Sequence, residues 1–284
     1  MAVISFWGNE EKETGQTISM LSIASTMAIE HNHKIIAIGT GFKDKTISDA
    51  FWAPELSMAE SVQSKLGLEN EKNIGTISGI EGLSMVVQSG RVGNDIIGNY
   101  TKPVFKDKRL DVLLPPETIR KEEYDNISKH YPKILKMANS DYNMVFVDVC
   151  KKMPMETQME ILQNSDLIIV GIKQGLNSIN KFIELKKHDQ LFNGRNIMVF
   201  IGKYDGYSKY NLRNIERYLK GKNIVLGISY NTLFYESATE GKLIDYTLRI
   251  RNITNTNDRN YVFVQQNKYA CENILYKLKE LQVR

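Results

Sequence analysis

Residues 2–29, AVISFWGNEEKETGQTISMLSIASTMAI, constrain the fold most, because they pass from strand to turn to helix in one short stretch. The apolar run Val3, Ile4, Phe6, Trp7 breaks at Gly8 and crosses a polar turn. It then reaches Thr14-Gly15-Gln16-Thr17, after which apolar residues recur at helical spacing. A helix N-terminus reached in this way offers unpaired backbone N–H groups and about half a positive charge, which together attract phosphate. A complete phosphate loop ends Gly-Lys-Ser/Thr, the Lys reaching the outer phosphates and the hydroxyl holding a metal. Here Gln16 takes the Lys position and Thr17 keeps the hydroxyl. Thr14, Gly15, Gln16, Thr17 and Ile18 are therefore expected to bind a ligand, with one charge missing.

The rest of the chain alternates. Ile18, Leu21, Ile23, Ala24, Met27 and Ala28 give the first helix an apolar face, and KIIAIGT follows as a strand. Residues 44–66 predict short helices broken at Pro54, residues 83–88 (LSMVVQ) a strand, and residues 89–108, with glycines and Pro103, a surface loop. LDVLL at 110–114 predicts a strand stopped by Pro115-Pro116, followed by a helix over about 118–138 and the strand MVFVDV at 144–149. Helices over 155–163, 178–191 and 211–219 then precede the strands LIIVGI, IMVFIG and NIVLGI. Strands apolar on both faces and separated by single helices need crossover connections. The expected fold class is α/β, a doubly wound, mostly parallel sheet flanked by helices. With no repeat, low-complexity tract or linker, residues 1–284 are expected to form a single domain.

In such sheets ligands sit beyond the carboxyl ends of the strands, which selects the loops at 8–17, 39–45, 148–154, 173–177, 202–209 and 229–234. Asp148 ends the strand MVFVDV, where a carboxylate either holds a metal-bound water beside phosphates or caps the next turn. Thr17 is either a magnesium ligand or an ordinary first-turn threonine, and the two readings stand together. Lys12 either swings in to supply the missing charge or stays solvated among Glu10, Glu11 and Glu13. We take it as solvated, since three carboxylates repel a triphosphate. The four histidines show neither metal spacing nor a triad arrangement, and Cys150 and Cys271 form no disulfide framework. The start MAVISF lacks the order of a signal peptide, and the apolar runs are too short to span a bilayer, so a cytoplasmic location is expected. A net charge of +4 permits DNA or an anionic membrane as partner without indicating either. The basic residues at 213–222, with Arg249 and Arg251, are read as solvated surface rather than a DNA face. The apolar stripe of the last helix, with Val264, Tyr269, Ile274 and Leu278, is read as core packing rather than a membrane face.

The order of elements resembles the MinD/ParA family of deviant phosphate-loop ATPases, nearest to its pilus-assembly TadZ/CpaE branch. VFVDV resembles the family's metal-proximal segment, and IGKYDGYSKYNLRNIERYL its base-side Asn-Arg-Tyr-Asp segment and helix. ISYNTLFYESATEGK resembles the Ile-Pro-x-Asp/Asn segment that closes the nucleotide site. The resemblance implies ATP and Mg as cofactors, held by Thr17 and Asp148, with Asp148 also at the catalytic centre and Lys203, Asp205 and Asn231 as further nucleotide contacts. It implies a homodimer that recruits protein partners of an assembly or positioning system. The departures are five. Glu11 or Lys12 takes the place of an early loop Lys and Gln16 of the second, Gly39-Thr40-Gly41 carries no carboxylate before Asp44, and Gly202 and Ser229 replace the base-reading Asn and the closing Pro. Members of that branch open with a receiver-like domain; the first strand here starts at residue 2, so none is expected. The expected function is accordingly a nucleotide-binding or pseudo-ATPase positioning factor with slow or absent hydrolysis. The alternatives are an active partition ATPase binding DNA or membrane, and a nucleotide-free scaffold.

Overall fold

The computed structural model describes residues 1–8, 10, 14–53, 79–90, 96–107, 109–116 and 120–282. Eight strands form one sheet: β1 (Ala2–Gly8), β2 (Ile35–Gly39), β3 (Thr101–Pro103), β4 (Leu110–Leu113), β5 (Met144–Val149), β6 (Leu167–Gly171), β7 (Ile197–Gly202) and β8 (Val225–Ile228). Their order is β3-β4-β2-β5-β1-β6-β7-β8, and every neighbouring pair is parallel except β3–β4. Eleven α-helices accompany it among the described residues. They are α1 (Gln16–Glu30), α2 (Thr46–Phe51), α3 (Gly79–Gln88), α4 (Lys121–Ser128), α5 (Tyr131–Asp141), α6 (Met155–Gln163), α7 (Leu176–His188), α8 (Leu212–Tyr218), α9 (Thr232–Thr239), α10 (Leu243–Ile250) and α11 (Tyr261–Gln282).

The period-two geometry of a strand sends successive side chains to opposite faces, and here both faces are covered. Ala2, Ile4 and Phe6 of β1 pack on the face of α1, α9, α10 and α11, while Val3 and Trp7 pack on the face of α5, α6 and α7. In β5 the same alternation places Met144 and Phe146 on the α1 face and Val145, Val147 and Val149 on the other. Asp148 shares the parity of Phe146, so the strand itself directs it toward α1. The last helix lies along α1, with Ser22 Oγ donating to Asn267 Oδ1 and Cys271 packed beneath Ile23. Its Val264, Ile274 and Leu278 are buried, as core packing requires, whereas Tyr269 is exposed.

Three local expectations are corrected. Residues 83–88 belong to helix α3, because Ile80, Leu83 and Val87 are buried at helical rather than alternating spacing. The stretch 89–108, expected as a surface loop, contributes a 3-10 turn (Ile97–Asn99) and the edge strand β3; its residues 91–95 and 108 lie outside the described residues. Pro103 sits at the end of that edge strand, where a missing N–H costs no ladder bond. The single helix expected over 118–138 is two, with Pro132 in the first turn of α5, a position that tolerates proline. Of the short helices expected over 44–66, α2 is present and residues 54–66 lie outside the described residues. No described helix is long and apolar enough to cross a membrane.

Candidate functional site

The strand order places β1 between β5 and β6, and connections leave β1 and β5 toward opposite sides of the sheet. Beyond the carboxyl ends of these strands lies the crevice where ligands of doubly wound sheets bind. The chain turns into α1 at Gly15, whose φ of +67° is in the left-handed region that favours glycine. No side chain caps α1, and its first turn carries no acidic residue, so the helix dipole and first amides face the crevice unopposed. Gly15 rests on Gly202, backbone to backbone; a Cβ at residue 202 would stand 2.1 Å from the Thr14 carbonyl oxygen.

Asp148 is buried at the end of β5, with both carboxylate oxygens engaged. Oδ2 accepts from the Thr17 hydroxyl at 2.5 Å, and Oδ1 accepts from the Gln16 side-chain amide. That amide also donates to the Phe6 carbonyl at 3.0 Å, so Gln16 ties β1 to β5 beneath the turn. Burial pushes the Asp148 carboxyl up to about 6, against the pull of the hydrogen bonds from Thr17 and Gln16, and the nearby Asp44 carboxylate adds to the rise. The end of β5 is fixed from the other side by Thr40, whose hydroxyl donates to the Asp148 carbonyl at 3.0 Å and accepts from the Cys150 amide at 2.8 Å.

A cavity of ≈ 380 Å³ opens over this end. Thr14, Gly15, Gln16, Thr17, Ile18, Asp148, Lys203 and Asn231 all line it. Asp205 lies outside this lining. Its amide donates to Gln174 Oε1, its carbonyl accepts from Gln174 Nε2, both at 2.8 Å, and its carboxylate accepts from the Tyr207 amide. Lys12, with Glu11 and Glu13, lies outside the described residues. Asn231 lines the wall as the N-cap of α9, its Oδ1 accepting from the Phe234 amide at 2.9 Å and its Nδ2 donating to Asn260 Oδ1 at 2.8 Å. Lys203 has a φ of +55°, and its Cγ lies 3.6 Å from the point a Gly15 Cβ would occupy. No acidic residue pairs with it among the described residues.

Glu10, Asp44, Lys151, Tyr230 and Phe234 also line the cavity from loops that the sequence selects without assigning these residues a role, and Tyr235 and Phe263 line it from outside those loops. Burial of Glu10 opposes its ionisation, yet hydrogen bonds from Ser178 and Lys173 and the Lys173 charge 3.2 Å away hold its carboxyl below the usual range. The acidic loop is thus drawn toward α7 at this residue. Asp44 returns to the crevice by folding over Gly41, where a Cβ would meet the Asp44 Cβ at 2.6 Å, and it accepts from the Thr46 amide at 3.0 Å. The spacing Asp44-Lys45-Thr46 at the start of α2 is the signal that marks this turn. Thr17 and Asp148 are hard oxygen donors of the type that holds magnesium together with phosphate oxygens and water, so the donor set fits that ion. No group of three or more His, Cys, Asp or Glu forms a cage among the described residues, which leaves phosphate and water to complete any such coordination.

No protein-family model matches the chain, and a comparison with curated proteins gave no match. Solved structures do share its fold. A ParA family ATPase from Chlorobium tepidum TLS aligns over 95% of this chain and 97% of its own at 16% identity, with a TM-score of 0.66. The septum site-determining protein MinD of Pyrococcus horikoshii OT3, complexed with Mg-ADP, aligns over 97% and 98% at 13% identity and a TM-score of 0.57. A putative plasmid partition protein from Borrelia burgdorferi B31, bound to AMPPNP, aligns over 97% and 99% at 16% identity and a TM-score of 0.56. The fold is that of the MinD/ParA phosphate-loop proteins.

Proposed function

We propose that the chain binds magnesium-ATP at the N-terminus of α1 and uses it as a conformational ligand for assembly, as a MinD/ParA-like positioning factor of the TadZ/CpaE type, with hydrolysis slow or absent. The observation that carries the reading is the double role of the loop. Gly15, Thr17 and Asp148 keep the geometry that takes phosphate and metal, while Gln16 turns its amide onto Asp148 and Phe6 and brings no charge to the ligand. Two structures of the same fold contain AMPPNP or Mg-ADP, which supports a nucleotide as the ligand.

In this reading the turn amides bind the phosphates, and Lys203, lying against Gly15, gives the cavity a cation without an acidic partner among the described residues. Thr17 and Asp148 would hold the magnesium ion, which when bound offsets negative charge on the phosphate oxygens. Asp148 accepts from Thr17 and Gln16 and is assigned to the metal, and Asp44 Oδ1 accepts from the Thr46 amide and hydroxyl. A single cation in such a site changes phosphoryl-transfer rates by about a thousandfold or more, so a neutral amide at residue 16 predicts slow chemistry. The nucleotide-bound form is proposed to dimerise across the cavity mouth and to recruit protein partners.

Calorimetry with ATP and magnesium tests the binding, and a steady-state phosphate-release assay tests the chemistry. The expected result is one site per chain with no release above the Asp148→Ala background. Turnover that Asp148→Ala abolishes would make the protein a cycling ATPase, and the absence of any binding would leave a nucleotide-free scaffold.

A further inference from the structure

The cavity has a polar end at Gly15, Thr17 and Asp148, and an aromatic end built by the start of α9 and by α11. At that aromatic end Phe234 packs on Phe263, ring centroids 5.0 Å apart, as a buried floor. Tyr230 and Tyr235 stand above it, 53% and 45% exposed, with centroids 6.0 Å apart and planes at 43°. Two large aromatic faces left this open beside a phosphate-type turn form a surface on which a flat heterocycle stacks.

The groups placed to read the edge of that heterocycle are missing or already engaged. Residue 202 has no side chain, and none fits, because a Cβ there would overlap the Thr14 carbonyl. The Asn231 side-chain amide is bonded to Phe234 and Asn260, and Asp205 lies outside the cavity lining. The Ser229 backbone amide donates to Gln266 Oε1 at 2.7 Å. The hydroxyls that remain, on Ser229, Tyr230 and Tyr235, both donate and accept, so they favour neither the donor pattern of adenine nor that of guanine.

We propose that the cavity accepts nucleoside triphosphates by stacking the base on the Tyr230–Tyr235 pair without reading its edge, so that ATP and GTP bind about equally. The inference rests on the nucleotide reading above and adds the substrate class to it. A site built to hydrogen-bond a substrate group rejects the wrong one by about 10⁴-fold or more, whereas an apolar site discriminates by about 10- to 200-fold. Stacking is worth roughly 5- to 150-fold per base.

Calorimetry on the full chain with Mg-ATP, Mg-GTP and Mg-tripolyphosphate separates this inference from the reading beneath it. The expected result is ATP and GTP dissociation constants within about tenfold of each other. In the Tyr230→Ala/Tyr235→Ala variant both should weaken by about tenfold, with tripolyphosphate unchanged and Tyr→Phe at both positions restoring wild-type binding. Both side chains are exposed, so the thermal melt of the Ala variant should match wild type and serves as its folding control. GTP binding more than about a hundredfold weaker than ATP, or Ala variants that leave nucleotide binding intact, would overturn the stacking site while the nucleotide reading stands. Failure of all three ligands to bind would overturn both.

Discussion

Gln16 is a neutral, hydrogen-bonded strut at the position where the proposed phosphate site would take a cation, and its substitutions separate the two roles. Gln16→Ala removes the side-chain donor from the Phe6 carbonyl and from Asp148 Oδ1 in a part-buried place, so the chain should lose about 1–3 kcal/mol of stability in chemical denaturation. Gln16→Lys should instead lower the Asp148 pKa and tighten Mg-ATP binding by about tenfold, read by calorimetry. Asp148 gives a pH signature of its own. Its folded-state pKa is raised from 3.8 to about 6, so its ionisation is paid for in folding free energy at neutral pH. The ligand-free protein should therefore gain roughly 2–3 kcal/mol from this group as pH falls from 7 through 6 toward 4, and Asp148→Asn should flatten that slope in pH-dependent denaturation. The pairing of Thr17 with Asp148 is legible from sequence because one opens a helix and the other ends a strand on the same face. The inward course of Gln16 is set by tertiary packing and leaves no spacing to read, whereas the Asp44 turn is marked only by the short Asp44-Lys45-Thr46 spacing.

At the scale of elements, strands buried on both faces were legible because a continuous apolar run bounded by turn residues has few other places to go. α3 was not, since LSMVVQ fits strand and helix alike, and only Gly79 and Ile80 upstream complete the helical period. Gly79 also fixes where that helix starts. Its φ is +68°, its amide donates to the Tyr100 carbonyl at 3.2 Å, and a Cβ would come within 2.8 Å of the Leu114 carbonyl oxygen. Gly79→Ala meets both backbone strain and a backbone clash, and should cost about 1–3 kcal/mol in a thermal melt. β3 escaped the sequence reading because three residues ending in proline lack any alternation, and its pairing comes from the β4 edge it covers.

At the scale of the molecule, the cavity joins both ends of the chain: α1 and β1 supply its polar side, α9 and α11 its aromatic side, and α11 packs along α1. A ligand bridging these parts shifts an assembly equilibrium by its differential affinity for the assembled form and needs no hydrolysis to do so. The proposed function therefore carries a kinetic prediction. In sedimentation velocity, Mg-ATP and Mg-AMPPNP should raise the dimer fraction to the same extent, and the ATP-formed dimer should persist for hours, because no product accumulates to reverse it. A cycling ATPase would behave differently, its ATP-formed dimers decaying as ADP builds up while the AMPPNP-formed ones remain. Gln16→Lys provides the internal contrast: if the restored charge revives chemistry, its ATP-formed dimer should decay and its AMPPNP-formed dimer should not, which ties the lifetime of the assembly to a single side chain at the mouth of α1.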